Sequence, residues 1–257
     1  MALFSRWVAS QTDCMIAPTG KVRLLPRDYG VRKPVFVVPS GIDLRRFGGE
    51  ADPWRMAVLR ASLHIPQDRL ILVSVGRLAE EKNLEELLRC RAAMGPGHVT
   101  LLLVGDGPDR PRLEALAGSL GLEAPDVVFA GQVAPEQVAD WYQLGDLFVS
   151  ASTSETQGLT YVEALAAGVP ALCRADPCLE GVIREGENGW TYRDGDEFRR
   201  KLALFQSQPH RREQLAQNAR RSAEPFSAER FAQRAEAIYL DQIARHREHG
   251  VPREVPA

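Results

Sequence analysis

The chain has 257 residues, of which 44% are hydrophobic and 26% are charged, and its net charge at pH 7 is −2. This composition predicts a globular protein of one or two domains, and the small net charge does not indicate nucleic acid as the main partner. Residues 1–10 lack the basic-then-apolar order of a signal peptide, and no apolar run is long enough to span a bilayer, so we expect a cytoplasmic protein.

Two local features bear on the compartment and the surfaces among which the protein works. Its four cysteines match no zinc or redox spacing, which predicts free, buried thiols in a reducing compartment. Residues 199–257 carry 12 Lys and Arg against 7 Asp and Glu. This basic portion is either a solvated helical face or a surface that approaches anionic lipid, and both interpretations stay open.

Residues 1–33 predict a helix, a short strand at 14–17, a second helix and a turn. A segment of this size cannot bury a core alone, so we interpret it as the tail end of a preceding domain. The next segment contains residues that interrupt regular secondary structure, namely Pro34, Pro39 and Gly41, and we predict an interdomain linker over residues 34–50. We expect residues 51–226 to form the main domain, followed by a helix at 227–248 and a tail at 249–257.

Apolar runs of strand length alternate with stretches of helical period along the chain. The runs are rich in Val and Leu and apolar on both faces, which is typical of parallel strands covered by helices on both sides. The alternation predicts an α/β domain with a doubly wound, Rossmann-like parallel sheet. The predicted strands are residues 35–38, 70–75, 99–104, 127–130, 147–150 and 169–173.

Helix starts are predicted from two kinds of residue. Polar side chains that accept a hydrogen bond from a backbone N–H cap a helix, and proline suits the first helical position because it has no N–H to leave unsatisfied. The predicted caps are Asn83 with Glu86 and Asp194 with Glu197, and a further amphipathic helix is predicted after Ser227. The prolines predicted to open helices are Pro108 and Pro135.

The densest chemical signal is the segment 154–163, which follows the strand that ends near Ser150 and runs into a helix. Ligands bind at the carboxyl ends of parallel strands, and Gly158 lets the backbone approach a ligand closely. The helix dipole favours an anion at the free backbone N–H groups, which we assign to Gln157, Gly158, Leu159 and Thr160. Glu155 and Glu163 would repel a phosphate, so we expect them to accept hydrogen bonds from sugar or ribose hydroxyls. The alternative is that Glu163 only faces solvent on an ordinary helix.

A second signal consists of Gly76, Arg77 and Lys82, which follow the strand 70–75 at the same edge of the sheet. An Arg fork and a Lys point charge suit a diphosphate and the charge that develops when it departs. The alternative is a pair of surface cations in ion pairs with Glu80 and Glu81. Cations and a helix N-terminus for phosphates, with carboxylates for diols, together predict a nucleotide-sugar site.

The segment 105–108, Gly-Asp-Gly-Pro, begins like a dinucleotide fingerprint, but Arg110 occupies the position of the third glycine. A dehydrogenase is therefore not indicated, and we expect this loop to close tightly beneath the nucleotide. A further loop that we expect to meet a base through its backbone is formed by Gly131, Gln132 and Val133.

Together these motifs resemble the retaining GT-B glycosyltransferases of family 4, over roughly residues 14–245. The resemblance rests on Gly76-Arg77 with Lys82, on the loop 105–108, and on the pair Glu155 and Glu163. The exact residues of segments 152–164, 178–183 and 186–189 are similar to those of bacterial 1,2-diacylglycerol 3-glucosyltransferases. One of them is Gln157, where most of the wider family has Phe.

The resemblance implies the C-terminal domain of a GT-B enzyme, with UDP-glucose as the donor and a lipid acceptor at the membrane surface. Arg77 and Lys82 would hold the donor diphosphate, and no metal or other cofactor is expected because these two cations replace a metal ion. Glu163 would bind the ribose hydroxyls, and Glu155 would lie beside the donor hexose. The catalytic candidates are therefore Arg77, Lys82 and Glu155. The other donor-binding candidates are Gly76, Gly105, Gly107, Gly131, Gln132, Val133, Gln157, Gly158, Leu159, Thr160 and Glu163.

The family carries a whole N-terminal acceptor domain, of which residues 1–33 would be a remnant. We therefore expect that domain as a structural partner, and this chain alone as incomplete for catalysis. The expected product is a glucosyl diacylglycerol of retained anomeric configuration, made by a protein peripheral to the inner face of the cell membrane. Two alternatives stay open: a family 4 transferase with another acceptor (phosphatidylinositol, a cell-wall precursor or a polysaccharide), and a non-catalytic module that binds a sugar nucleotide.

Overall fold

The computed structural model describes residues 2–249. The chain divides into two compact units, one formed by Met1–Ile42 with Phe226–Ala257 and the other by Asp43–Pro225. The predicted boundaries at 33, 50 and 226, and the origin of residues 1–33 in a preceding domain, stay predictions. The predicted tail lies outside the described residues except for His249, which ends a helix.

In the first unit, the N-terminal elements follow the predicted order: α1 (Ala2–Ser10), β1 (Met15–Ala17), α2 (Gly20–Asp28) and β2 (Val35–Val37). Strands β1 and β2 pair in parallel, and α2 begins at Thr19, whose hydroxyl accepts a hydrogen bond from the N–H of Val22. The C-terminal helix of the chain is Ala228–His249. It begins directly after Ser227, as predicted, and the Ser227 hydroxyl accepts a hydrogen bond from the N–H of Arg230 at 3.1 Å.

The second unit contains a parallel sheet covered by helices on both sides, as predicted. Its strands are β3 (Leu70–Val75), β4 (Val99–Val104), β5 (Val127–Gly131), β6 (Leu147–Ser150), β7 (Ala171–Arg174) and β8 (Gly189–Tyr192). Its helices are α3 (Pro53–Ser62), α4 (Leu84–Ala92), α5 (Arg110–Ser119), α6 (Val138–Leu144), α7 (Leu159–Ala166), α8 (Gly195–Ser207) and α9 (Arg212–Ala223).

The order of the strands across this sheet is β5-β4-β3-β6-β7-β8, and every pair is parallel. The chain builds the sheet outward from β3 in one direction and then returns to add β6 on its other side. The junction between β3 and β6 is therefore the topological switch point, where the loops that leave adjacent strands diverge and open a crevice at the carboxyl edge.

Most predicted strands are confirmed to within two residues, whereas β8 was not predicted. Its sequence, Gly-Trp-Thr-Tyr, lacks the run of aliphatic residues on which the prediction depended. Asp194 is confirmed as a cap: its carboxylate accepts a hydrogen bond from the N–H of Glu197, and the Glu197 carboxylate accepts one from the N–H of Arg193.

Two predicted helix starts are wrong, and a third is right in position but lacks its predicted capping bond. Helix α5 begins at Arg110, so Pro108 lies before it and Pro111 occupies its first turn. Pro135 lies in a turn, and α6 begins three residues later. Asn83 precedes α4, but its backbone is left-handed and its side chain accepts no capping bond; its amide instead donates to the Glu86 carboxylate at 2.8 Å.

A buried ion pair joins α4 to the end of the sheet opposite the crevice. Arg91, only 1% exposed, donates to the Asp126 carboxylate at 2.5 Å and to two backbone carbonyls. Arg69 also donates to Asp126. Because so buried a guanidinium is costly without a partner, this carboxylate is a strong determinant of stability.

All four cysteines lie within the described residues and are free, three of them buried and Cys14 partly so. Residues 2–249 include no helix that combines the length and the apolar character needed to cross a membrane.

Candidate active site

The loops that leave β3 and β6 meet at the switch point. After β3 the chain passes Gly76 and Arg77 into a short 3-10 turn, Glu80–Lys82, and after β6 it runs through a loop to α7. Two hydroxyls of the second loop, those of Ser152 and Ser154, donate to the backbone carbonyl of Glu81 at 3.3 and 3.1 Å. These bonds hold the two loops at a fixed separation, so residues 73 positions apart in sequence become neighbours.

Lys82 and Glu155 form an ion pair across the two loops. The ammonium nitrogen lies 2.5 Å from the carboxylate oxygen, and the two side chains are 29% and 15% exposed. The pairing places one cation and one carboxylate side by side in the crevice. It also means that an incoming phosphate shares Lys82 with Glu155.

Arg77 stands in a more open position. Its guanidinium donates to the Glu81 carboxylate at 2.5 Å, and both side chains are largely exposed. This bond lowers the pKa of Glu81, which therefore stays ionised at neutral pH. The alternative interpretation, a surface pair with Glu81, thus describes the ligand-free state of Arg77, while Lys82 pairs across the cleft. An exposed pair of this kind contributes little stability, so Arg77 can exchange Glu81 for a stronger anion.

A cleft at the switch point brings together five of the predicted site residues: Gly76, Arg77, Lys82, Glu155 and Thr160. The sequence analysis missed other residues that line it, among them Ser74, Phe148 and Ser150. Ser74 and Ser150 are the hydroxyl-bearing residues at or near the ends of otherwise apolar strands, and that is the signal by which they could have been found.

The start of α7 depends on Gly158, whose φ of +70° is left-handed. A Cβ atom at this position would lie 2.3 Å from the ring of Tyr161, which packs beneath the loop. Glycine is required here for both reasons. Leu159 is exposed, whereas Gln157 is buried in this state.

Glu163 lies just over one turn into α7 and does not line the cleft in this structure. One of its carboxylate oxygens, Oε2, accepts a hydrogen bond from the hydroxyl of Tyr142 at 2.8 Å. Tyr142 is fully buried, and no sequence signal identified it. The interpretation of Glu163 as a side chain that only faces solvent does not fit this contact.

The glycines of the 105–108 loop pack against the backbone of Gly76 and Leu78, two residues that line the cleft. A Cβ atom at Gly105 would lie 1.9 Å from the carbonyl oxygen of Gly76, and one at Gly107 would lie 2.3 Å from that of Leu78. The N–H of Gly76 donates to Val104, and that of Leu78 donates to Asp106. The loop is therefore tightly closed, as expected, and it packs against the loop that begins at Gly76. Its expected position beneath a nucleotide stays a prediction.

The 131–133 loop begins at the end of β5, next to the glycine loop. The N–H of Gly105 donates to the carbonyl of Gly131 at 2.8 Å, and a guanidinium nitrogen of Arg110 lies 3.4 Å from the Cβ position of Gly131. Gln132 is exposed and Val133 is half-buried. Neither lines the cleft itself, and their contact with a base stays a prediction.

Metal ligands were not expected from the sequence. Across residues 2–249, the structure contains no group of three or more His, Cys, Asp or Glu side chains arranged to hold a metal ion.

The strand order and the loops that meet at the switch point define a Rossmann-like α/β domain of the GT-B type. The chain belongs to the family described as Glycosyl transferases group 1, which matches residues 56–222. Its fold is thereby that of one half of a two-domain glycosyltransferase.

Curated relatives support the family assignment. The chain is 33% identical over 210 residues to an alpha-monoglucosyldiacylglycerol synthase of Acholeplasma laidlawii, with 80% of this chain and 52% of the relative covered. It is 34% identical over 236 residues to the synthase of the same name from Streptococcus pneumoniae, covering 90% and 52%. A D-inositol 3-phosphate glycosyltransferase of Geodermatophilus obscurus is 32% identical, covering 95% and 57%. The chain thus spans about half the length of the curated relatives it matches.

Solved structures confirm the fold. Anabaena Alr3699/HepE in complex with UDP superposes with a TM-score of 0.82 at 21% identity, covering 93% of this chain and 67% of that one. The sucrose-phosphate synthase of Thermosynechococcus elongatus superposes with a TM-score of 0.81 at 26% identity, covering 95% and 61%.

Proposed function

We propose that this chain is the donor-binding part of a retaining glycosyltransferase that transfers glucose from UDP-glucose to a lipid acceptor such as diacylglycerol. The single observation that carries the proposal is the cleft at the switch point, in which Arg77, Lys82 and Glu155 converge from two separate loops. This arrangement provides two cations for a diphosphate and a carboxylate for sugar hydroxyls.

The two cations suit the departure of a nucleoside diphosphate. Negative charge develops on the diphosphate as its bond to the sugar breaks, and preorganised cations stabilise that charge without further rearrangement. Arg77 offers a bidentate fork and Lys82 a point charge, and both lie in the cleft before any ligand arrives. Diphosphate binding through these cations makes a metal ion unnecessary, so we propose that transfer does not depend on one.

The proposed donor and acceptor rest on the relatives. Two of them are named alpha-monoglucosyldiacylglycerol synthase, which supports glucose and diacylglycerol. Another is named for D-inositol 3-phosphate, which keeps a different acceptor as the second candidate. A lipid acceptor would require the protein to work at a membrane surface, and we propose a peripheral attachment there.

Calorimetric titration of the chain with UDP and with uridine tests the donor site. The Arg77→Ala and Lys82→Ala variants should each bind UDP more weakly by on the order of ten- to a hundredfold, the effect of one charge-assisted hydrogen bond. The matched control is Arg89→Ala, which removes a similar exposed pair, with Glu85, on the flank of α4. Equal losses in all three variants, or folded chain that does not bind UDP, would contradict the proposed site.

Transfer is tested with a form of the protein that also contains an acceptor-binding domain. Incubation with UDP-glucose and diacylglycerol vesicles should give an α-linked glucosyl lipid, identified from its anomeric proton by NMR. The rate should be unchanged by EDTA. A β-linked product would refute the retaining mechanism, dependence on Mn²⁺ would refute metal independence, and transfer only to a soluble acceptor would favour the second candidate.

A further inference from the structure

Tyr142 is a fully buried polar side chain near the candidate site. It lies in α6, is 0% exposed, and its ring packs edge-on against Phe47 with 6.1 Å between ring centroids. On its other side the ring of Phe148 lies at 5.9 Å. These contacts fix the plane of the phenol, and the hydroxyl projects from this aromatic row to Glu163 on α7.

The chemistry of the contact assigns the roles of its two groups. Burial, and next the negative charge of Glu163, raise the pKa of Tyr142 well above 10, so the phenol keeps its proton at neutral pH. A protonated phenol donates to a carboxylate, here to Oε2 at 2.8 Å. Such charge-assisted bonds are short and directional. One oxygen of Glu163 is therefore committed inside the protein, and the carboxylate cannot rotate freely.

We propose that Tyr142 is a positioning residue for ribose recognition: its buried hydroxyl holds Oε2 of Glu163, so that the other oxygen is oriented to accept a hydrogen bond from a ribose hydroxyl. The inference rests on the proposed function, since it assigns a partner to the Glu163 carboxylate of the same donor site. Orientation in advance lowers the entropy lost on binding, so the contribution of Glu163 to affinity depends on a residue that never touches the nucleotide.

The experiment measures the affinity of the chain for two nucleotides, UDP and 2′,3′-dideoxy-UDP, which lacks both ribose hydroxyls. Tyr142→Phe should weaken UDP binding by about tenfold, the effect of one hydrogen bond to a charged group, and leave dideoxy-UDP binding unchanged. In a Glu163→Ala background, Tyr142→Phe should cause no further loss, because the two residues act through one contact. The matched control is Tyr192→Phe, which removes an equally buried phenol hydroxyl that contacts the carbonyl of Ser150.

The outcomes separate this inference from the function on which it rests. Equal weakening of both nucleotides in Tyr142→Phe would show a general structural role and overturn the inference. Unchanged UDP affinity in Tyr142→Phe, while the wild-type chain binds UDP, would also overturn it and leave the donor site intact. Absence of UDP binding in the folded wild-type chain would overturn both.

Discussion

Replacement of Gly105 by alanine is expected to damage both the stability and the proposed donor site of this protein. Gly105 has a φ of +131°, which L side chains rarely adopt, and its added Cβ would lie 1.9 Å from the carbonyl oxygen of Gly76. Real Cβ atoms essentially never come closer than 3.0 Å to another heavy atom, so one of the two backbones must move by about 1 Å. That movement strains the bond from the N–H of Gly76 to Val104.

The expected loss has two parts. A left-handed conformation costs a residue with a Cβ about 1–2 kcal/mol, and forcing an extra methyl group into a packed region costs about 1–3 kcal/mol. We therefore expect Gly105→Ala to lower the free energy of unfolding by about 2–5 kcal/mol. Because Gly76 precedes Arg77, UDP affinity should fall as well.

Urea unfolding followed by tryptophan fluorescence measures the loss of stability. The matched control is Gly118→Ala in helix α5, where an added Cβ meets nothing within 4 Å; it should stabilise the protein by about 0.5–1 kcal/mol because alanine favours a helix. An unfolding midpoint for Gly105→Ala at or above that of the wild type would refute the argument from close approach.

Three further changes test the framework around the site. Asp126→Asn removes the carboxylate that pairs with the buried Arg91, and urea unfolding should show a loss of about 3–5 kcal/mol; a loss under about 1 kcal/mol would mean that the guanidinium is satisfied without the charge. Asp194→Ala removes the cap of α8 and should cost about 1 kcal/mol in a thermal melt, and an unchanged midpoint would contradict the role of the cap. Burial raises the pKa of Asp146 above its ordinary value of 3.8, so the folded chain keeps a proton that the unfolded chain releases. The contribution of this residue to stability should therefore fall as the pH rises from 3.8 through the folded-state pKa. Urea unfolding at a series of pH values measures this dependence, which should disappear in Asp146→Asn. The same pH dependence of the free energy of unfolding in the variant and the wild type would refute the argument.

Much of the fold was predictable because parallel strands buried on both faces must be apolar, and such runs are visible in a sequence. The strand β8 was missed since an edge strand can carry Gly, Trp, Thr and Tyr instead of an aliphatic run. The wrong helix starts at Pro108 and Pro135 have a related cause. Proline is as compatible with a turn as with a first helical position, and only the surrounding backbone selects between them.

The sequence indicated which residues could form the candidate site, but not which of them contact one another. Arg77, Lys82 and Glu155 were identified because charged residues directly after parallel strands lie at the carboxyl edge of a sheet, where ligands bind. That Lys82 pairs with Glu155 across 73 residues could not be predicted, since the pairing depends on β3 and β6 being neighbours. The contact of Tyr142 with Glu163 could not be predicted either, because the residues around Tyr142 in the sequence are those around an ordinary core residue.

The sequence by itself determined the class of the domain and the family it resembles, and it supplied the candidate residues for a sugar-nucleotide site, because these follow from periodicity and from local chemistry. The tertiary structure decided which of these residues line the cleft, which serve as its support, and which buried groups hold them. Local patterns specify what each side chain can do, whereas the distances between side chains are set by the order of the strands and the packing of the helices upon them.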